Sequence, residues 1–344
     1  MTKEPPATTA VLPTLEDVAS LAGVSRATAS RAINGGSRVS PEALAAVRRA
    51  VRTLGYTPNR AARSLVTRRT DSIALVVPEP NERVFSDPFF SDWLRGVSAA
   101  LEPTDEQLVL LLARPGAEIA RTLRYLRNRR VDGALVISHH RGDELTEEMA
   151  DLGLPCVFGG RPWVGAERLS YVDVDNRAGG RLAAEALLAR GCRALATVTG
   201  PDDMTAAVDR LDGWRDVVRR AGLPTDRLTQ GDFTIEGGAR ATVELLERHP
   251  GVDGIFVASD LMASGALSVL AARGLRVPED VAIVGYDDLG VAERTDPPLT
   301  TVRQPATEMA TRATVLLFDQ LRTGSPVTVR HEIVPPVLVR RRSA

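Results

Sequence analysis

The stretch Thr14-Leu-Glu-Asp-Val-Ala-Ser-Leu-Ala-Gly-Val-Ser-Arg-Ala-Thr-Ala-Ser-Arg-Ala-Ile-Asn34 holds two short amphipathic segments around one glycine. Leu15, Val18, Ala19 and Ala22 recur at i, i+3, i+4 and i+7, which predicts a helix over 15–22. Thr14 and Asp17 have capping-box spacing, with a hydroxyl for the first free N–H groups. Gly23 ends the helix where positive φ costs little, and Val24 returns to the core. Ser25 caps a second helix that carries Arg26, Ala27, Ser30 and Arg31 on the face away from Val24, Thr28 and Ile33. Two helices on a glycine turn, with arginines on the second, read as a helix-turn-helix that seats the second helix in the major groove. An ordinary helical hairpin with a solvated arginine face has the same pattern, so the rest of the chain must separate the two readings.

Charge is unevenly distributed. The 344 residues carry a net charge of −1, but residues 1–70 hold 11 basic and 4 acidic side chains, a net +7. The remaining 32 basic and 40 acidic residues give −8. A basic headpiece on an acidic body is the footprint of a local nucleic-acid site. The length allows two or three domains, and 44% hydrophobic with 25% charged residues describes a globular chain. No apolar run reaches the ~18 residues of a membrane span, so no membrane partner is expected. Residues 1–13 are polar and Thr/Pro-rich without a signal-like apolar region; a disordered tail and a cytoplasmic location are expected. Cys156 and Cys192 lie in separate apolar segments, as buried thiols rather than a disulfide or metal framework. No metal and no cofactor are expected.

Ser40 and Pro41 start a third helix that runs to Leu54, with Leu44, Val47 and Val51 inward and Gly55 as its stop. Pro58 forbids continuation, while Asn59 can cap a short helix to Leu65 whose apolar side offers Ala61, Ala62 and Leu65. Arg60, Arg63, Arg68 and Arg69 can meet phosphates. A leucine ending such a turn can wedge between base steps from the minor groove, or the segment is simply a flexible basic linker.

From Ser72 the period changes. Strand-length apolar runs at 73–77, 108–112, 133–137, 156–158, 195–199, 254–258 and 281–284 alternate with helical patterns at 89–101, 117–129, 176–190, 209–221, 237–248 and 261–273. Such alternation predicts parallel sheets covered on both faces, split into two α/β lobes near Tyr171–Asp175. Ligands in such sheets sit outside the carboxyl ends of the strands. His139 and His140 follow the strand at 133–137; adjacent histidines point apart in extended chain, so they are expected to be solvated in a loop rather than to share a metal.

The chain resembles the LacI/GalR family of bacterial transcription regulators from Thr14 to about Arg341. The resemblance is carried by Leu15-Glu-Asp-Val-Ala, Ala22-Gly-Val-Ser, Thr28-Ala-Ser-Arg31, Leu54-Gly-Tyr-Thr-Pro-Asn59 and Arg63-Ser-Leu65. In the body it continues through Asp87-Pro-Phe-Phe90, Val174-Asp-Asn176, Arg210-Leu-Asp-Gly-Trp214, Ser259-Asp260, Val284-Gly-Tyr-Asp-Asp288 and Pro298-Leu-Thr-Thr301. It implies an all-α helix-turn-helix headpiece (lambda-repressor-like) at 14–57 and a hinge helix or linker at 58–70. The α/β two-lobed core, like the type I periplasmic binding proteins, then fills 71–344. The N-lobe is placed at 71–172 and 303–324, the C-lobe at 173–302 and 325–341.

The resemblance places base readout on Arg26, Ala27 and Arg31, where arginine offers a bidentate contact to guanine and Ala27 only a methyl. Ser25, Thr28, Ser30 and Asn34 become phosphate contacts or caps, with packing as the other role for Thr28. Ala29 stands where the family commonly has valine. Asn59 starts the hinge helix, Ala62 lies on its apolar side and Leu65 matches the minor-groove wedge. Arg210 and Asp287 match the residues that clamp polar ligand groups in the family's cleft, and paired hydrogen bonds to vicinal hydroxyls suit them to sugars. Phe233 matches an aromatic platform; Asp87, Phe89 and Phe90 line the opposite lobe; Arg161, Ser259 and Gln304 are weaker candidates. A plain capping role for Asp287, or pairing of Arg210 with Asp209 or Asp212, are the structural alternatives.

The expected function is a DNA-binding transcriptional regulator, a repressor, that grips a palindromic operator as a homodimer. A small-molecule effector, a mono- or disaccharide, is expected to modulate it. No leucine heptad follows Arg342, so no tetramer is expected. The alternatives are a solute-binding protein, which the basic headpiece opposes, and an activator or co-repressor-dependent regulator. An enzyme is not expected: no phosphate loop, nucleophile elbow or metal-spaced cluster occurs.

Overall fold

A computed structural model describes residues 13–33, 39–57, 69–114, 116–323 and 328–344. The chain divides into two compact units between Thr70 and Asp71. Asn34, Asn59, Ala62 and Leu65, and with them the expected hinge helix, lie outside the described residues, as do residues 1–12.

The first unit contains α1 (Leu15–Ala22), α2 (Arg26–Ile33) and α3 (Pro41–Leu54). Thr14 and Asp17 form the reciprocal capping box that their spacing predicts, and Gly23 follows α1 at φ 65°. Ser25 Oγ accepts from the Thr28 amide at 3.1 Å, and Ser40 Oγ from the Ala43 amide at 3.2 Å. Val18, Ala19, Ala29, Val47 and Ala50 are buried together. Ala29 is fully buried, so the small residue at this position sets how closely α2 approaches its neighbours.

The second unit has two six-stranded sheets. The first lobe runs through β1 (Ser72–Val77), α4 (Asn81–Ser86), α5 (Pro88–Leu101), β2 (Gln107–Leu112), α6 (Ala117–Arg127), β3 (Gly133–Ile137), α7 (Glu144–Asp151), β4 (Cys156–Gly159) and β5 (Ser170–Val174). The second lobe runs through α8 (Asn176–Arg190), β6 (Leu195–Thr199), α9 (Thr205–Arg220), β7 (Leu228–Gln230), α10 (Ile235–Arg248), β8 (Gly254–Val257), α11 (Asp260–Ala272), β9 (Ala282–Asp287) and β10 (Thr300–Arg303). Then α12 (Ala306–Thr323) returns to the first lobe, and β11 (His331–Val334) and β12 (Val337–Val339) follow. The sheet orders are β11-β5-β4-β3-β1-β2 and β12-β10-β9-β8-β6-β7. Every pairing is parallel except that of β10 with β12. Near-continuous apolar strands such as Ser-Ile-Ala-Leu-Val-Val in β1 are buried along their whole length, because helices cover both faces.

One expected lobe limit needs correction. Residues 325–341 do not all belong to the C-lobe as the sequence suggests: β11 pairs with β5 of the first sheet, and only β12 belongs to the second. The chain therefore crosses between lobes three times, after β5, β10 and β11. The reason is local: His-Glu-Ile-Val is a short edge strand with one buried residue, too weak a pattern to assign to a sheet.

The second lobe contains two unusually close helix crossings, α10 on α11 at Gly238 and Gly265, and α8 on α9 at Gly180 and Gly213. A Cβ on Gly180 of α8 would sit 2.0 Å from the Arg210 carbonyl oxygen, and one on Gly213 of α9 would sit 2.0 Å from that of Arg177. The two glycines let the helix backbones touch, and this contact delivers Arg210 to the mouth of the sheet.

Candidate functional site

Between the lobes lies a cleft of about 690 Å3, counted with its open mouth. Residues at or just beyond the carboxyl ends of the strands line it, the position that parallel-sheet topology dictates.

The second-lobe wall centres on Arg210, whose side chain is 5% exposed. Its Nε donates to Asn176 Oδ1 at 2.9 Å, Nη1 to the Ala258 carbonyl at 2.7 Å, and Nη2 to Gln304 Oε1 at 3.2 Å. Nη1 also faces Asp287 Oδ1 at 3.4 Å, which accepts from Gln304 Nε2 at 2.8 Å. The guanidinium lies 3.6 Å over the Tyr286 ring. Asp287 ends β9 with φ 110°, a backbone conformation that aims its carboxylate across the strand ends. Burial raises its pKa to about 7 against the pull of Arg210. Ser259 caps α11 through the Met262 amide and lines the cleft. Phe233, at φ 64°, lies 5.9 Å from the Arg210 guanidinium and 5.3 Å from that of Arg83.

The first-lobe wall is aromatic and partly acidic. Asp87 caps α5 through the Phe89 amide at 2.9 Å, and burial raises its pKa. Phe89 and Trp93, 6.2 Å apart, lie one turn apart on that helix and both line the cleft. His139 is 4% exposed and packs edge-on against Phe158; burial lowers its pKa to about 4, so it is a neutral ring. Asp173, from the end of β5, accepts from the amides of Arg161 and Val174 and from Asn176 Nδ2. Burial holds it up at about 6.

Of the residues expected around an effector, the structure brings Asp87, Phe89, Arg210, Phe233, Ser259, Asp287 and Gln304 to this one cleft. Phe90 is not on its wall; 2% exposed, it packs into the first-lobe core with Trp93 and Val97. Consecutive helix positions point about 100° apart, so Phe89 and Phe90 of α5 cannot both face the cleft. Arg161 does not line it either; its Nη2 binds Asp209 at 2.7 Å across the lobes, and its carbonyl accepts from Thr205 Oγ1. Neither plain pairing of Arg210, with Asp209 or Asp212, occurs.

Sequence reasoning passed over Arg83, Trp93, Ser138, His139, Asp173, Asn176 and Thr205 as lining residues. Ser138 and His139 directly follow β3, so the strand-end rule was a sufficient signal. The expectation of a solvated histidine pair fails: His139 is buried, and His140 is held by Glu79 at 3.0 Å and Asp203 at 2.9 Å. The two rings do point apart.

In the headpiece, Arg26, Ala27 and Arg31 are exposed on α2, while Thr28 and Ser30 are half-buried. Arg26 pairs with Glu16 at 2.6 Å, and Arg31 Nε donates to the Ala27 carbonyl at 3.2 Å. Ser25 and Thr28 join hydroxyls at 2.9 Å, so both serve the helix start. Among the described residues, no helix is long and apolar enough to cross a membrane.

Comparison with known proteins follows this division. The family profile for bacterial regulatory proteins of the lacI family matches residues 14–59, and that for a periplasmic binding protein-like domain matches 184–344. The HTH-type transcriptional regulator CelR of Thermobifida fusca is 49% identical over 331 residues, 95% of this chain and 97% of its own. The ribose operon repressor of Escherichia coli K12 is 34% identical, with 96% and 99% covered. A solved CelR–cellobiose complex superposes with a TM-score of 0.77 at 46% identity, covering 96% of this chain and 100% of that one. The Lac repressor dimer bound to operator and the anti-inducer ONPF gives 0.83 at 26% identity, with 96% and 98% covered. The chain belongs to the LacI family of bacterial regulatory proteins.

Proposed function

We propose that the protein is a homodimeric transcriptional repressor whose hold on a palindromic operator changes when a small carbohydrate enters the interlobe cleft. The observation that carries this reading is the cleft itself. A buried guanidinium and carboxylate, Arg210 and Asp287, face aromatic rings from both lobes, and the same chain carries a helix-turn-helix with exposed arginines. Polyhydroxylated ligands suit such a site, since charged forks take paired hydroxyls while rings cover the apolar sugar face. A disaccharide of cellobiose type is the first candidate, because CelR shares nearly half its residues and its complex holds cellobiose.

In the headpiece, Arg26 and Arg31 read base edges, with Ser25 and Ser30 near phosphates. Effector binding favours one arrangement of the lobes and so shifts the population that is competent to hold DNA. For dimerisation, β2 offers a sheet edge with Leu110 exposed. Thermal-shift and calorimetric titration of the full chain with cellobiose, glucose and ribose tests the reading. Cellobiose is expected to raise the melting temperature and to give one site per chain. No response to any of the three sugars contradicts the carbohydrate assignment.

A further inference from the structure

We propose that His140 is a proton-coupled clasp between the lobes. Its doubly protonated ring bridges Glu79 of the first lobe to Asp203 of the second, so that closing the cleft on a ligand takes up one proton from solvent. This deepens the function proposed above and rests on the cleft being a ligand site.

The geometry requires the second proton. His140 Nε2 lies 3.0 Å from Glu79 Oε1, and Nδ1 lies 2.9 Å from Asp203 Oδ2. A neutral imidazole has one N–H, and would turn a lone pair toward one of these two carboxylates. Glu79 is the anionic partner: its Oε1 also accepts from Ser138 Oγ at 2.6 Å and Arg83 Nη1 at 2.5 Å, and although burial pushes its pKa up, the His140 hydrogen bond, then Arg83 and Ser138, together keep it low. The imidazolium is therefore the form that satisfies both partners. Burial works against its charge, yet the two carboxylates hold it up at about 9.

Asp203 is gripped by more than the ring. Its backbone carbonyl accepts from the Arg141 amide at 2.7 Å and from Trp163 Nε1 at 2.5 Å, and the Arg141 guanidinium lies 4.0 Å over the Trp163 ring. The other charged or titratable groups around His140 are Arg83 on α4, Asp143 and Arg141 on its own loop, His139 beside it, and Asp202 next to Asp203. The His140 amide donates to Asp143 Oδ2 at 2.7 Å, and Arg141 Nη2 donates to the Asp202 carbonyl at 3.3 Å.

None of Glu79, His140 and Asp203 lines the cleft, but the residues next to them along the chain do: Ser138 and His139 on one side, Met204 and Thr205 on the other. The clasp thus sits where both walls leave the cavity. Opening the lobes removes Asp203 and leaves Glu79 in place, which lowers the proton affinity of His140. Closure is favoured while His140 is protonated, and this advantage is lost as pH rises from the open-state value through about 9.

With four histidines in the chain, ring NMR of the full-length protein can follow His140 directly, with His140→Gln to identify its signal. Without added sugar the lobes sample open and closed arrangements, so His140 is expected to titrate above the usual histidine range but below its sugar-bound value, and Asp203→Asn to move it down. Titration near the ordinary value, or no change in Asp203→Asn, overturns the clasp whether or not a sugar binds. Calorimetry with cellobiose in buffers of different ionisation heat then counts protons. Uptake of up to one proton, and affinity falling by at most about tenfold per pH unit above neutrality, support the coupling. Cellobiose binding with no proton uptake, or equal uptake in His140→Gln, overturns it. Failure of cellobiose to bind would count against the carbohydrate assignment and leave the NMR result to decide the clasp.

Discussion

On the second-lobe wall of the cleft, Arg210 donates to Asn176, Ala258 and Gln304 and faces Asp287, so four of its five N–H groups are engaged by the protein and hold the fork in place before any ligand arrives. The first-lobe wall is arranged otherwise. There His139 Nδ1 and Trp93 Nε1 are buried and find no hydrogen-bond partner among the described residues. One wall is a preset clamp whose geometry is fixed by the protein; the other keeps unmet hydrogen-bonding capacity beside flat aromatic surface. A buried polar atom without a partner costs about 1–3 kcal/mol, and a ligand that meets it recovers part of that. We therefore propose that the clamp supplies orientation common to many polyols, and that the first-lobe wall supplies the discrimination among them.

Truncating the clamp should have the largest effect. Arg210→Ala removes the ligand's fork and strands Asp287, Asn176 and Gln304, so cellobiose binding is expected to vanish in calorimetry and the melting temperature to fall. Breaking a buried pair this way costs roughly 3–5 kcal/mol. Arg210→Lys should rescue neither, because a single ammonium cannot reach the partners a planar fork serves. If Arg210→Ala binds normally, the clamp is on the wrong wall.

Next is the helix crossing behind the clamp. Gly213→Ala drives a methyl into the Arg177 carbonyl, with an expected loss of about 1–3 kcal/mol from overpacking. Weaker sugar binding should accompany it, since Arg210 moves with α9. Loss of stability with unchanged affinity would uncouple the crossing from the site.

A smaller effect sharpens the comparison between walls. His139→Phe preserves ring packing against Phe158 and deletes the polar edge. Affinity for cellobiose is expected to fall about five- to tenfold, the worth of one hydrogen bond near 1 kcal/mol, with the melting temperature unchanged. Equal losses for every sugar tested would remove discrimination from this wall.

The smallest effect is on pH. Burial holds Asp287 at about 7, above an ordinary carboxyl. A raised value makes its contribution to folding greatest at low pH and lost as pH rises through about 7. Asp287→Asn keeps an oxygen for Gln304 and Arg210, and should flatten the decline of ligand-free stability between pH 5 and 8. At pH 8 the variant is expected to melt about 2 °C higher than the parent. A steeper decline would reverse the sign.

How much was legible in the sequence follows the range of the interactions concerned. Thr14, Asp17, Gly23, Ser25, Ser40 and Pro41 act within four residues, so α1, α2 and α3 could be read to their ends. Strands with long apolar runs were equally clear. Lost were β5, whose apolar run is broken by Asp173, β7, β10, β11 and β12, which are short or at sheet edges, the short helices α4 and α7, and α12, which has no cap signal and crosses back between lobes. Arg210 and Asp287 were visible through family motifs. His139 was within reach of the strand-end rule, whereas Arg83 and Trp93 were not visible, because they reach the cleft only where α4 and α5 meet the strand ends. His140 was misread for the same reason: its two carboxylates lie 61 and 63 residues away in the chain, in different lobes.

The most direct test of the account couples the cleft to the headpiece. Double-stranded DNA selected in vitro by the full-length protein is titrated at fixed salt, with and without saturating cellobiose, and followed by fluorescence anisotropy. A change of about tenfold or more in DNA affinity is expected for the parent protein, a coupling of roughly 1.4 kcal/mol. It should be absent in Asp287→Ala, which still binds the DNA. Superimposable curves with and without cellobiose in the parent protein would contradict a carbohydrate-controlled repressor.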